Sequence, residues 1–253
     1  MEIGIDSFAA AFDENSRAVS PAARLRHLIE QIDHADEVGL DAFGVGEHHR
    51  REFLDSAPTV IFGAAAVRTR RIRLASAAAH SFARAGALGL PLMVAIIGGE
   101  PRRFRPLIDL YRETAGRSGH RPEQLNVGVH MLGYVGDSTQ EAADTFYPGY
   151  AKAMTDIGKE RGWPPMTRAS FDAQRGPTGA LLVGSSDEVV DKILRHSDAL
   201  GGISRVTFQM NAASLPQLKM MRGIDAIAAG VAPALHRHDA DRSRDTQTAP
   251  YLI

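Results

Sequence analysis

The chain of 253 residues has no cysteine, which excludes disulfides, thiolate metal sites and a cysteine nucleophile. Its formal net charge is only −1, so no global field is available to hold a polyanion or an acidic membrane surface. Long apolar runs are missing too. The longest, residues 88–99, falls short of the ~20 residues that a membrane span requires. Glu2 and Asp6 stand where a secretory leader would place basic residues before an apolar run, so the expectation is a soluble cytoplasmic protein. No His-Glu-x-x-His or aspartate-rich metal spacing occurs. What remains is an ordinary globular composition, 44% hydrophobic and 23% charged, in a length that suits one large α/β domain.

Helical and strand patterns alternate, as βαβ units of a parallel sheet require. Strands are predicted at 1–7, 42–46, 72–78, 90–97, 125–135 and 205–210. Ser20-Pro21 opens a helix whose apolar residues Leu25, Leu28, Ile29, Ile32, Ala35 and Val38 share one face, and Gly39 stops it. Further helices begin at Pro58, Ser81 and Pro101. Capping boxes at Ser138–Glu141 and Ser185–Glu188 open two more, and the last long helix is expected over 215–229. Residues 162–184, with Trp163-Pro164-Pro165, read as an insertion on a barrel rim. The tail from His236 is polar and aperiodic and reads as mobile. The expected organisation is one barrel domain, 1–235, followed by that tail, 236–253. Six strands are two fewer than an ordinary (β/α)8 barrel has.

Three segments carry a resemblance. The first joins Gly44-Val45-Gly46-Glu47-His48-His49-Arg50 to Pro58–Ala66 and Ile72–Ala77. The second is Ser81-Phe82-Ala83-Arg84-Ala85-Gly86 with Gly89-Leu90-Pro91-Leu92, and the third is Leu182-Val183-Gly184-Ser185 with Glu188-Val189. In order and spacing these resemble the bacterial-luciferase-like family of flavin-dependent oxidoreductases and monooxygenases. The resemblance implies a TIM-barrel-like (β/α)8 fold, here shortened to about six parallel strands. Two βα units that family members carry are absent near Ala79-His80, on the order of a hundred residues at ~30 per unit.

Barrel chemistry sits at the C-terminal strand ends, where Glu47-His48-His49 falls. Alternation puts Gly44, Gly46 and His48 on one face, and the glycines suggest room for a flat ring. His48 matches the family's catalytic histidine; read from the residues alone it is either an acid/base group or a hydrogen-bonded rim histidine. Adjacent strand residues point apart, which argues against His48 and His49 sharing a metal ion. The resemblance assigns Ser76 and Ala77 to ring contacts and Ser81 and Arg84 to the flavin phosphate, although a plain N-cap role also suits Ser81. Arg102 and Arg103 could face an anion but suit a solvated surface better, and the run Arg68, Arg70, Arg71, Arg73 reads as a solvated helix end. His130 falls inside and reads as a core histidine before a catalytic one, while Gln209 is placed at the mouth.

The resemblance further implies FMN, with the deazaflavin F420 as the alternative, a small organic substrate, no nucleic-acid or membrane partner, and a homodimer. The rival expectation is a flavin-binding or orphan barrel that lost turnover with the missing units.

Overall fold

A computed structural model describes residues 1–10, 20–49, 53–77 and 82–248, leaving aside the side chains at 76, 77 and 242–248. The predicted junction Ala79-His80 and the predicted phosphate ligand Ser81 lie outside the described residues.

The strands are β1 (Glu2–Ser7), β2 (Ala42–Gly46), β3 (Arg73–Ala77), β4 (Leu92–Ile96), β5 (Val127–Val135), β6 (Leu182–Gly184) and β7 (Arg205–Gln209). Between them run α1 (Pro21–Glu37), α2 (Pro58–Ala66), α3 (Phe82–Ala87), α4 (Arg105–Arg117), α5 (Thr139–Arg161), α6 (Arg168–Arg175), α7 (Ser186–Leu200), α8 (Gln217–Ala226) and α9 (Ala232–Thr248). The caps read from sequence are formed: Ser20, Ser138 and Ser185 each accept an N–H in the first turn of α1, α5 and α7.

The strands make one parallel sheet in the order β3-β2-β1-β7-β5-β4, with β6 added to β5. That is the order of a barrel wall with staves removed between β3 and β4, and these two strands are its edges. Each strand separates two kinds of residue. One face carries Ile3, Ile5, Phe43, Val45, Val129, Met131, Val206 and Phe208, all buried in the hydrophobic core. The other is the concave face. Register aligns Gly4 with Ala42 and Thr207, Asp6 with Gly44 and Gln209, and His130 with Thr207 and Ala95. Gly4 is needed there, because a Cβ would stand 2.4 Å from the Ala42 carbonyl oxygen. At the β4 edge this inner face meets solvent, with Ala95 exposed.

Three expectations change. The stretch 162–184, read as an insertion, supplies α6 and a seventh strand, β6, too short for its period to register. Buried Lys192 on α7 ties it down, donating from Nζ to the carbonyls of Gln174, Arg175 and Leu181 at 3.3, 2.9 and 2.7 Å. The last helix does not end near 229. It passes through a π turn at Ile227–Val231 and continues as α9 to Thr248, across the stretch without hydrophobic period. Tertiary contacts hold it: Leu235 is fully buried, His236 meets Asp41 at 3.2 Å, and the amino terminus pairs with Asp239. The arginine run is ion-paired rather than merely solvated: Arg68 to Asp33 and Arg73 to Glu2, while Arg71 donates to the Asp36 carbonyl. Among the described residues no helix is long and apolar enough to cross a membrane.

Candidate active site

β2 ends at Gly46, and the chain then exposes Glu47, half-buries His48 and exposes His49. His49 Nε2 lies 3.0 Å from Glu47 Oε1, an outward pair that leaves His48 alone facing in. The His48 ring stacks on Phe53 with centroids 4.3 Å apart and meets the edge of Phe8 at 5.1 Å. Phe8 in turn lies 5.9 Å from His130, so one aromatic ring stands between the two histidines.

The turn that aims Phe8 is strained. Ala9, fully buried, has φ +43°, a region that alanine rarely enters. The turn is pinned by the Ala9 N–H on Ser7 Oγ at 3.2 Å, the Leu54 N–H on the Ala9 carbonyl at 3.2 Å and a bridge between Ala10 and Phe53. The β1 and β2 exits are thereby locked to each other.

The glycines of β2 do not leave an empty slot. A Cβ on Gly46 would stand 1.8 Å from Phe8 Cε1, and one on Gly44 1.9 Å from Asp6 Oδ1. The room that they create is taken by this chain's own Phe8 and Asp6. On β3, Ala77 pairs with Gly46 and Ser76 with Val45. The register therefore brings both strand ends beside His48, with Ala77 in the row of Gly44 and Gly46 and Ser76 in the alternate row. Arg84 lies exposed on α3, the helix that follows β3.

Beneath Phe8 the concave face carries a buried polar cluster. Asp6 Oδ2 accepts from His130 Nδ1 and from Thr207 Oγ1, and His130 Nε2 lies 2.8 Å from Gln209 Oε1. Asp6, His130, Thr207 and Gln209 are all at least nine-tenths buried. Burial disfavours a charged His130 ring, but hydrogen bonding and charge from Asp6, and then Gln209, outweigh it and raise the pKa. Sequence alternation found the inward positions of His130 and Gln209. It also put Thr207 on the face of Gln209, but missed Asp6, which meets both only when β1 and β7 are laid side by side; a carboxylate inside a strand of apolar neighbours was the available signal.

Two further polar groups sit just beyond the C-terminal strand ends. Asp55, after β2, is fully buried with neither oxygen partnered, and Asn211 Oδ1, after β7, is also without a partner. Burial pushes Asp55 up to about 7 against a small opposing effect of its own backbone N–H and of His49. Buried acceptors without donors suit a polar ligand rich in N–H and O–H groups. Together with the Phe8, His48 and Phe53 rings, they fit a flat, polar-edged ring system such as a flavin.

A sequence model of the luciferase-like monooxygenase family matches this chain twice, over residues 1–84 and 79–202. The two matches meet at the point where the sheet lacks its staves. N-acetyl-S-alkylcysteine monooxygenase of Bacillus subtilis (strain 168) is 45% identical over 56 residues, covering 22% of this chain and 17% of that enzyme. The fold is similar to monooxygenase RslO1 from Streptomyces bottropensis, with TM-score 0.74 and 16% identity over 93% of this chain and 100% of that one. It is also similar to the oxygenating constituent of 3,6-diketocamphane monooxygenase from Pseudomonas putida, solved in complex with FMN, with TM-score 0.69 and 15% identity over 92% and 98% of the two chains. Matched over most of its length, with strand order, strand-end histidines and two-part match in agreement, the chain belongs to the luciferase-like monooxygenase family.

Proposed function

We propose that residues 1–235 form a flavin-dependent oxidoreductase of the luciferase-like monooxygenase type, cytoplasmic, using reduced FMN and dioxygen on a small organic substrate. The observation that carries this reading is His48, half-buried at the C-terminal end of β2 between Phe8 and Phe53, in a member of this family. Bound there, the reduced flavin supplies the electrons that activate dioxygen. His48 holds or delivers a proton at the reacting atoms, Phe8 and Phe53 fix its ring plane, and Phe8 shields the buried cluster from water. Ser76 and Ala77 bring the end of β3 against the ring, and Ser81 and Arg84 hold the phosphate. F420, whose ring has a similar flat and polar outline, is the alternative cofactor.

Titrating purified protein with FMN, and separately with F420, while following the visible spectrum tests the binding half. Oxygen consumption with NADH and a separate flavin reductase tests turnover. The open sheet favours one second reading, a flavin-binding protein without turnover, because the inner face at Ala95 is wet. FMN binding with no flavin-dependent oxygen or substrate consumption supports that second reading, and no binding of either cofactor removes both. The unpaired edges of β3 and β4 also support a homodimer, since exposed strand edges recruit partners. Light scattering at micromolar concentration is expected to give twice the chain mass, and a monomer mass would defeat that part.

A further inference from the structure

The strongest unexplained feature is the orientation of the buried amide at Gln209. Among the described residues no arginine or lysine pairs with Asp6 on the concave face. Arg205, next in the same row of β7, is engaged with Glu2, as is Arg73. A buried carboxylate without a counter-charge is strongly disfavoured, so the ring beside it carries the balancing proton. His130 Nδ1 then donates to Asp6, which also takes the Thr207 hydroxyl. The second ring nitrogen meets the Gln209 amide oxygen at 2.8 Å, and an oxygen can only accept. Both ring nitrogens therefore carry hydrogen.

That arrangement dictates what Gln209 offers. With its oxygen engaged, the Nε2 amino group lies on the far side of the planar amide. Gln209 is the last residue of β7, which puts its amide at the C-terminal mouth. The Nε2 group donates to no other described residue, yet Gln209 is only 8% exposed. It is a free donor that keeps some solvent access at the C-terminal end of β7.

We propose that Asp6, His130 and Gln209 form an orienting relay that locks the Gln209 amide with its N–H donors facing the ligand. Gln209 thus binds an uncharged acceptor, a carbonyl oxygen or an aromatic ring nitrogen, on the edge of a flat heterocycle. This rests on the flavin reading, in which the pyrimidine edge of the isoalloxazine supplies such atoms. Gln209 touches the ligand; Asp6 and His130 are positioning residues that act through it. Among the described residues, the other neighbours of the His130 ring are uncharged: Phe8 from the β1 exit and, by register, Ala95 on β4.

Two measurements test it. Nitrogen-15 NMR of the histidine rings in the flavin-free protein at pH 7 is expected to show His130 protonated on both nitrogens, and Asp6→Asn to convert it to a singly protonated ring. FMN titration is expected to show roughly tenfold weaker binding in Gln209→Met, the weight of one hydrogen bond to a buried donor, and a similar loss in Gln209→Glu, which keeps a polar side chain but not the donor. Asp6→Asn is expected to weaken FMN binding by less, because its amide is freed to turn rather than removed. Lys159→Ala, on the exposed surface of α5 where it pairs with Asp156, serves as the control, with FMN affinity unchanged. A singly protonated His130 in the wild-type protein overturns the relay, as does unchanged FMN affinity in a folded Gln209→Met or Gln209→Glu. Failure of the wild-type protein to bind FMN defeats the flavin reading instead, and the NMR result then decides the relay by itself.

Discussion

The two ends of the sheet treat their carboxylates in opposite ways. At the N-terminal end Asp36, which closes α1, accepts the backbone N–H groups of Arg70, Arg71 and Ile72 at 2.8, 2.9 and 2.8 Å. Burial works against its charge, but these three bonds and the Arg71 guanidinium outweigh it and lower its pKa. At the C-terminal end Asp55 is buried with neither oxygen hydrogen-bonded to another described residue, and its pKa rises to about 7. Around Asp36 the other charges are matched: Glu2 with Arg73 and Arg205, and Arg68 with Asp33. The same end of the sheet also holds a strained Ala9 and the unpartnered Asn211 oxygen. One end is mostly paired, with Asp33 Oδ1 left over beside the Arg68 ion pair. The other holds unsatisfied groups and strain, the state of a surface that is completed by a ligand.

The largest effect that this contrast predicts is on chemistry. His48→Ala is expected to reduce flavin-dependent turnover by roughly 10²–10⁴-fold, the usual weight of a positioned acid or base, with the melting temperature nearly unchanged. Equal turnover in mutant and wild type would remove His48 from the mechanism.

Next comes the paired end. Asp36→Ala leaves three backbone N–H groups without their acceptor and is expected to destabilise folding by about 2–4 kcal/mol in a denaturant titration at pH 7. Because the folded pKa is lowered, the wild-type contribution is full above the ordinary aspartate value and is lost as pH falls through the folded one. The mutant should therefore approach wild type in acid.

Asp55 should behave in the opposite sense. Its folded pKa is raised, so the folded state keeps a proton that the unfolded chain releases near pH 4. Stability is then full below that value and declines as pH rises through about 7. Asp55→Asn is expected to be more stable than wild type by on the order of 1–2 kcal/mol at pH 8 and about equal below about pH 4, read from unfolding midpoints. A constant difference at both pH values would mean that Asp55 does not titrate in this range.

The smallest effect is at Ala9. Glycine accepts φ +43° without strain, so Ala9→Gly is expected to gain about 0.5–1 kcal/mol, while the looser turn lets Phe8 move and lowers turnover several-fold. Loss of stability instead would show that the turn is not strained.

Much of this was legible in the chain itself. The alternation of strand and helix signals yields six of the seven strands, because buried parallel strands are long apolar runs and the helices carry explicit caps at Ser20, Ser138 and Ser185. β6 was not legible, since three residues are too few to show a period. The location of His48 at a strand end followed from Gly44-Val45-Gly46-Glu47-His48-His49, and the missing staves followed from the order of the three family-like segments.

Other features are properties of neighbours rather than of residues. Glycines at 44 and 46 announce space, but only the packed sheet shows Phe8 and Asp6 filling it. Nothing in the sequence links Asp6 to His130, 124 residues away, until β7 lies between β1 and β5 and sets all three in one row. The helical end of the chain is similar: residues past His236 have no apolar period, and contacts with Asp41 and the amino terminus decide their conformation. Local sequence determines which elements form, because hydrogen bonds and caps close within a few residues. Which polar groups meet, and which are left waiting for a ligand, depends on strand order, which the tertiary structure alone decides.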